Sequence, residues 1–206
     1  MTVLVLAKAP AAGRVKTRLS PPCTPQQAAD IAAAALADTI DAAARTGAVV
    51  LAVDGAMPCP PGAVMIRQRG VGLGARIAAA FADAGVGPVL LIGMDTPQVT
   101  PALLGSCLSA LDGSVDAVLG PAKDGGWWTL GLHDPRHAQL LQDVPMSTPR
   151  TGQYTLTALE RAGLRVGRLP TLRDVDRWTD AVAVAGLAPW GRFATAVRRH
   201  GANLSA

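Results

Sequence analysis

Short aliphatic runs alternate along this chain with longer stretches in which small apolar residues recur at helical spacing. Val3–Ala7, Val49–Val53, Val64–Ile66, Val89–Ile92 and Val115–Leu119 are bounded by turn-forming residues and read as strands, the apolar ones buried on both faces. Thr24 and Pro25 supply an N-cap and a first-turn residue for a helix running to about Arg45, where Gly47 stops it. The proline-rich stretch from Met57 to Gly62 reads as a loop. A glycine-rich loop, Gly70 to Gly74, opens a helix through about Ala84, and Thr100-Pro101 opens another through about Leu111. This βαβα rhythm predicts a doubly wound α/β domain. Beyond Gly120 the rhythm loosens into a strand at Trp127–Leu132 and helices at Tyr154–Ala162 and Arg177–Ala185, with an amphipathic helix at Trp190–Arg199. No internal repeat or long linker interrupts the pattern, so residues 1–206 read as one domain.

Composition narrows the picture. Half of the residues are hydrophobic but only 3% are aromatic, so the core is built from Ala, Val, Leu and Ile. The net charge of +4 suits small anionic ligands. No interleaving of aromatic and basic residues marks a nucleic-acid surface. Cys23, Cys59 and Cys107 are far apart and form no CxxC pair, which argues against a disulfide framework or a zinc site and for a reducing, cytoplasmic setting. No signal peptide is visible, and Asp38 and Asp41 interrupt the Ala-rich run Ile31–Ala44, so no membrane association is expected. Trp190 and Phe193 leave open whether the terminal helix packs on its own body or on a second copy in a homo-oligomer.

Chemistry concentrates at the ends of the predicted strands. The loop after Val3–Ala7 carries Lys8, Pro10, Gly13, Arg14, Lys16 and Arg18, and two of the chain's three lysines lie here. Cations at the carboxyl end of the first strand of an α/β fold lie where such folds hold phosphate ligands. Gly72, Leu73 and Gly74 precede a helix whose backbone amides can cradle an anion, although the Gly-Lys-Ser/Thr ending of a Walker loop is absent. Asp95 follows the central strand Val89–Ile92 and can hold Mg²⁺ or Mn²⁺, which prefer carboxylate and phosphate oxygens. Asp174 and Asp176 flank Val175; in an extended segment both carboxylates point the same way and repel unless a cation lies between them. Lys123, Asp124, Gly125, Gly126, Trp127 and Trp128 follow another predicted strand. There the glycines permit close backbone approach and one of the tryptophans can line a pocket while the other packs inward. His133 and His137 lack the HExxH context of a zinc site.

Six segments together resemble a bacterial family of GT-A-like proteins of unknown function, often grouped with glycosyltransferases. They are KAPAAGRVKTRL (Lys8–Leu19), QRGVGLGARIAAAF (Gln68–Phe81), LLIGMDTP (Leu90–Pro97), VLGPAKDGGWWTLGL (Val118–Leu132), MSTPRT (Met146–Thr151) and DVD (Asp174–Asp176). Phospholactate and molybdenum-cofactor nucleotidyltransferases, and more distantly nucleotide-diphospho-sugar transferases, share the resemblance. It implies a Rossmann-like three-layer α/β/α sandwich with a mixed, mostly parallel sheet. It also implies a nucleotide held by the N-terminal and Gly72–Gly74 loops, and a divalent metal held by Asp95, Asp174 and Asp176. Where the family usually has Gly-Gly-Tyr-Tyr this chain has Gly-Gly-Trp-Trp, which removes two phenol hydroxyls and enlarges the rings.

The expected activity is a metal-dependent transferase acting on a nucleotide-linked donor, foremost a nucleotide-sugar, and a small-molecule acceptor. In that reading Lys16 and Arg18 stabilise charge on the leaving group and Asp124 serves the acceptor hydroxyl. A guanylyltransferase-like nucleotidyl transfer with pyrophosphate release, and nucleotide binding without turnover, are the alternatives.

Overall fold

The structure is a computed structural model and describes residues 1–111 and 113–202. Seven strands form one sheet: β1 (Thr2–Lys8), β2 (Ala48–Asp54), β3 (Ala63–Arg67), β4 (Val89–Gly93), β5 (Ala117–Pro121), β6 (Trp127–Leu132) and β7 (Val166–Arg168). Their order is β3-β2-β1-β4-β6-β5-β7. Only β6 runs against its neighbours, β4 and β5, so the sheet is mixed and mostly parallel, as expected. Among the described residues six helices accompany it: α1 (Pro25–Ala44), α2 (Leu73–Asp83), α3 (Pro101–Ser109), α4 (Thr151–Arg161), α5 (Trp178–Leu187) and α6 (Arg192–Ala202), with 3-10 turns at Thr17–Leu19 and Pro135–Asp143.

Alternation along β1 divides the core. Val3 and Val5 face α1 and α3 together with Leu36, Leu51, Leu90, Ile92 and Leu104. Leu4 faces the opposite layer of α2, the 3-10 turn at Pro135–Asp143 and α4, with Ile77, Phe81, Leu91, Leu130, Leu141 and Leu159. A third cluster joins Leu19 and Ile31 to Val184, Phe193 and Val197, so α5 and α6 close over the outer side of α1. Phe193 thus packs on its own chain, while Trp190 stays 81% exposed. The N-terminus of α1 is a capping box: Gln27 N–H donates to Thr24 Oγ1 (3.2 Å), and Thr24 N–H donates to Gln27 Oε1 (2.8 Å). Among the described residues no helix is long and apolar enough to cross a membrane.

Several elements depart from the sequence expectation. Strand β5 starts at Ala117 rather than Val115, because Arg165 grips Asp116 through its main-chain N–H (2.9 Å) and its Nε (3.1 Å). Helix α4 starts at Thr151, where Thr151 Oγ1 accepts from Thr148 N–H (3.0 Å) and donates to Pro145 O (3.0 Å). Strand β7 and both 3-10 turns were not expected. The β5–β6 connection is locked to the start of α4: Gly152 N–H donates to Gly125 O (2.9 Å), and a Cβ on Gly125 would lie 1.9 Å from Pro149 O. Gly125 also has a φ of +89°, so the close approach that this Gly-Gly pair permits is to the chain's own backbone.

Two outcomes follow from these contacts. Gly125→Ala combines a left-handed backbone with a clash against a carbonyl and is expected to cost about 2–5 kcal/mol in urea unfolding. The hydrogen bonds and charge of Arg165 hold the Asp116 carboxyl down to about 2. Because that value is depressed below the ordinary one of roughly 3.9, the stability it contributes is present above about pH 4 and lost as pH falls toward 2. Asp116→Asn is therefore expected to lower the melting temperature at pH 7 modestly, the pair being exposed, and the difference from the parent protein should close between about pH 4 and pH 2.

Candidate active site

The chain moves outward from β1 in one direction through β2 and β3, and in the other direction enters β4. This reversal between β1 and β4 opens a crevice at their carboxyl ends, where open α/β sheets bind ligands. Three segments converge there. The first is the loop after β1. The second is Gly93 to Thr96, after β4. The third is the stretch from Leu172 to Asp176, which pairs with the end of β5 (Lys123 N–H to Leu172 O, 2.9 Å) and then crosses to β4, where Val175 N–H donates to Asp95 O (2.8 Å).

Lys16 ties all three together. Its φ of +49° is a left-handed conformation that a non-glycine residue rarely adopts, and its side chain is only 9% exposed. Its ammonium lies 2.5 Å from Asp95 Oδ1 and donates to Val175 O. Arg18 reaches the same segment, with its guanidinium 3.0 Å from Asp176 Oδ2. Val175 is buried and anchors the segment, and Asp174 and Asp176 on either side of it both line the cleft, the i, i+2 disposition expected of DVD.

The cleft has two adjoining lobes that share Leu6, Arg18, Leu73, Asp95 and Asp176. The first, about 430 Å³, lies over the ends of β1 and β2 and is basic: Lys8, Arg14, Lys16, Arg18 and Arg76 line it. Arg76 pairs with Asp54 (3.1 Å), whereas Lys8 and Arg14 are exposed and have no ion-pair partner among the described residues. The second, about 610 Å³, lies over β4, β6 and the start of α4 and is acidic: Asp95, Asp124, Asp174 and Asp176 line it, with Arg18 its only cation among the described residues. Burial, then the charges of Asp124 and Asp95, raise the Asp174 carboxyl above its ordinary value. Asp124 is exposed, and its Oδ1 accepts from Gly126 N–H (2.8 Å), which shapes the turn.

Other expected residues have different surroundings. Pro10, Gly13, Gly72 and Gly74 do not line either lobe; Gly74 is packed so closely on the 3-10 turn that a Cβ there would lie 2.1 Å from Leu141 O. Leu73 lines both lobes. Lys123 is exposed outside the lining and Gly125 faces Pro149, while Gly126 and Trp127 do line the acidic lobe. Trp127 Nε1–H donates to Thr155 Oγ1 (3.1 Å) and Trp128 Nε1–H to Pro170 O (2.9 Å), so both indole donors are satisfied within the protein.

Five further residues, to which the sequence reading gave no role, also line the cleft. Gln68 donates both amide hydrogens to backbone carbonyls, Ala7 O (2.9 Å) and Ala52 O (3.0 Å), and closes the floor of the basic lobe. Thr96 lines the acidic lobe with its Oγ1 buried and without a hydrogen-bond partner. Ser147, Thr148 and Pro149 form its rim, and the Ser-Thr-Pro run ahead of a helix was the available signal.

The donor set fits a hard divalent cation. Among the described residues no three His, Cys, Asp or Glu side chains converge closely enough to hold a metal by themselves, and Lys16 and Arg18 engage Asp95 and Asp176. The carboxylates are nevertheless all-oxygen donors on one wall, and Mg²⁺ is commonly held by one or two carboxylates together with substrate phosphates rather than by a protein cage.

Comparison with known proteins agrees with this architecture. A protein of Desulfovibrio desulfuricans G20, described as a candidate nucleotide-diphospho-sugar transferase, is 26% identical, with a TM-score of 0.89 over 99% of this chain and 96% of that one. A nucleotidyl transferase of Methanothermobacter is 17% identical, with a TM-score of 0.61 over 92% of this chain and 98% of that one. A Mycobacterium tuberculosis H37Rv protein solved with manganese is 21% identical, with a TM-score of 0.56 over 89% of this chain and 96% of that one. No functionally curated protein matches. The family described as an uncharacterized protein conserved in bacteria (DUF2064) matches residues 27–148, more than half of the sequence, and the chain belongs to that family.

Proposed function

We propose that this protein is a divalent-metal-dependent transferase that binds a nucleotide-sugar donor across the two lobes and passes the sugar to a small-molecule acceptor. The observation that carries this reading is the polarity of the cleft: unpaired cations over β1 and β2, carboxylates over β4, and a shared boundary where a diphosphate would lie. The description of the Desulfovibrio protein supports the same donor class.

Lys8 and Arg14, free of internal partners, meet the donor's phosphates, Lys as a point charge and Arg with a planar fork. Arg18, on the boundary, faces the bond to be broken and stabilises negative charge developing on the leaving nucleoside diphosphate. Asp95, Asp174 and Asp176 would hold a Mg²⁺ or Mn²⁺ ion, which when bound neutralises charge on the phosphates. Asp124, on the lining of the acidic lobe, accepts a hydrogen bond from the acceptor hydroxyl and takes its proton as the new glycosidic bond forms.

The test is a thermal-shift panel of nucleotide-sugars and nucleoside triphosphates with and without Mg²⁺ or Mn²⁺, followed by product analysis. A nucleotide-sugar at about 100 times its Kd should raise the melting temperature by roughly 5–10 °C. The rise should need the metal and be lost in Asp95→Asn and Asp176→Asn. Release of nucleoside diphosphate carries the proposal. Release of pyrophosphate from a triphosphate moves it to nucleotidyl transfer, and the absence of stabilisation by any nucleotide overturns it.

A further inference from the structure

The acidic lobe has a chemistry of its own, distinct from what the donor requires. Four carboxylates line it. Lys16 and Arg18 offset two of them, Asp95 and Asp176, which leaves Asp124 and Asp174 without an ion-pair partner among the described residues. A divalent cation would not reverse this balance, because it arrives with the negative charge of the donor's phosphates. Asp124 would still face whatever fills the remaining space.

The rest of the lining is largely apolar. Leu6, Trp127 and Met146 are half-buried residues packed against the core beneath α2 and α4, and they line the lobe together with Leu73, which is 40% exposed. The Trp127 indole N–H is already bonded to Thr155 and presents no donor to a ligand, so its ring acts as a flat apolar surface. Thr96, next to Asp95, also lies on the lining, with its Oγ1 buried and without a hydrogen-bond partner among the described residues. A volume of about 610 Å³ is ample for a small organic molecule.

We infer that the acceptor is amphipathic and not anionic: an apolar body lies against Trp127, Met146 and Leu73, and a hydroxyl or amine points toward Asp124. Phosphorylated and carboxylated acceptors are disfavoured by like charge, since four carboxylates on the lining outnumber Arg18, the lobe's one lining cation among the described residues. This deepens the transferase reading and rests on it for the word acceptor, but the binding preference belongs to the lobe itself and is measurable without a nucleotide.

The experiment titrates the full chain, free of nucleotide and metal at low salt, with three aromatic probes of similar size: benzylamine, benzyl alcohol and phenyl phosphate. Binding is read from the Trp127 indole N–H resonance, identified by its loss in Trp127→Phe. Only occupancy of the acidic lobe counts, because phosphate bound over Lys8 and Arg14 lies in the other lobe. The amine and the alcohol should shift this resonance with dissociation constants at least tenfold below that of phenyl phosphate. Asp124→Asn, which keeps the acceptor oxygen for Gly126 N–H, should weaken the amine and narrow the gap to phenyl phosphate. Phenyl phosphate shifting the resonance as tightly as the other two overturns the proposal, as does failure of all three probes or a gap unchanged in Asp124→Asn. None of these outcomes depends on the nucleotide panel, so this inference and the transferase reading fail separately.

Discussion

The parallel ladder between β1 and β4 is the constraint on which the rest of the molecule hangs. It pairs Thr2 through Leu6 with Val89 through Gly93 and joins the two strands whose connections leave in opposite directions along the sheet. Two of the three segments that build the cleft leave directly from that pairing. The cationic loop leaves from β1, Asp95 leaves from β4, and β6, antiparallel to β4, brings Trp127 alongside. Because both strands are apolar and buried on both faces, their register is held by two core layers at once, and a slip would expose one of them.

Charge is then sorted over this scaffold. The basic loop belongs to the β1 side and the carboxylates to the β4 side, and Lys16 and Arg18 stitch the border by reaching from one to the other. Burying an ammonium is costly unless it is well paired. Lys16 meets the requirement with a carboxylate and a main-chain carbonyl, which explains why it tolerates an uncommon backbone conformation. Arg18 does the same work at the surface, where solvent weakens it, and so remains available to a ligand.

Much of this was legible in the sequence. The aliphatic runs marked β1, β2, β4 and most of β5, where burial on both faces is a local signal; Val64–Ile66 marked β3 although it is largely exposed, Trp127–Leu132 marked β6, and capping at Thr24-Pro25 and Thr100-Pro101 marked α1 and α3. Strand β7 carried no such signal: it is three residues long and half-exposed. The onset of β5 depended on Asp116 meeting Arg165, and that of α4 on hydroxyl bonds among Thr148, Thr151 and Pro145, none of which periodicity records. The site divides in the same way. Asp95 and the loop cations are readable from their place at strand ends, and DVD from its spacing. That Lys16 turns inward to a carbonyl far along the chain, that Gly125 is crowded by Pro149, and that Thr96 is left without a partner are properties of tertiary contact alone.

The reach of Lys16 also sets an order of assembly. The loop that carries it emerges early during synthesis, while Val175, which it grips, emerges after every strand of the sheet has been made. Until then the ammonium has only half of its partners, and the crevice has a floor but no far wall. A nascent chain can therefore pair its central strands well before it can present a finished site, and a stretch made only after the sheet's last strand completes a crevice begun at its first.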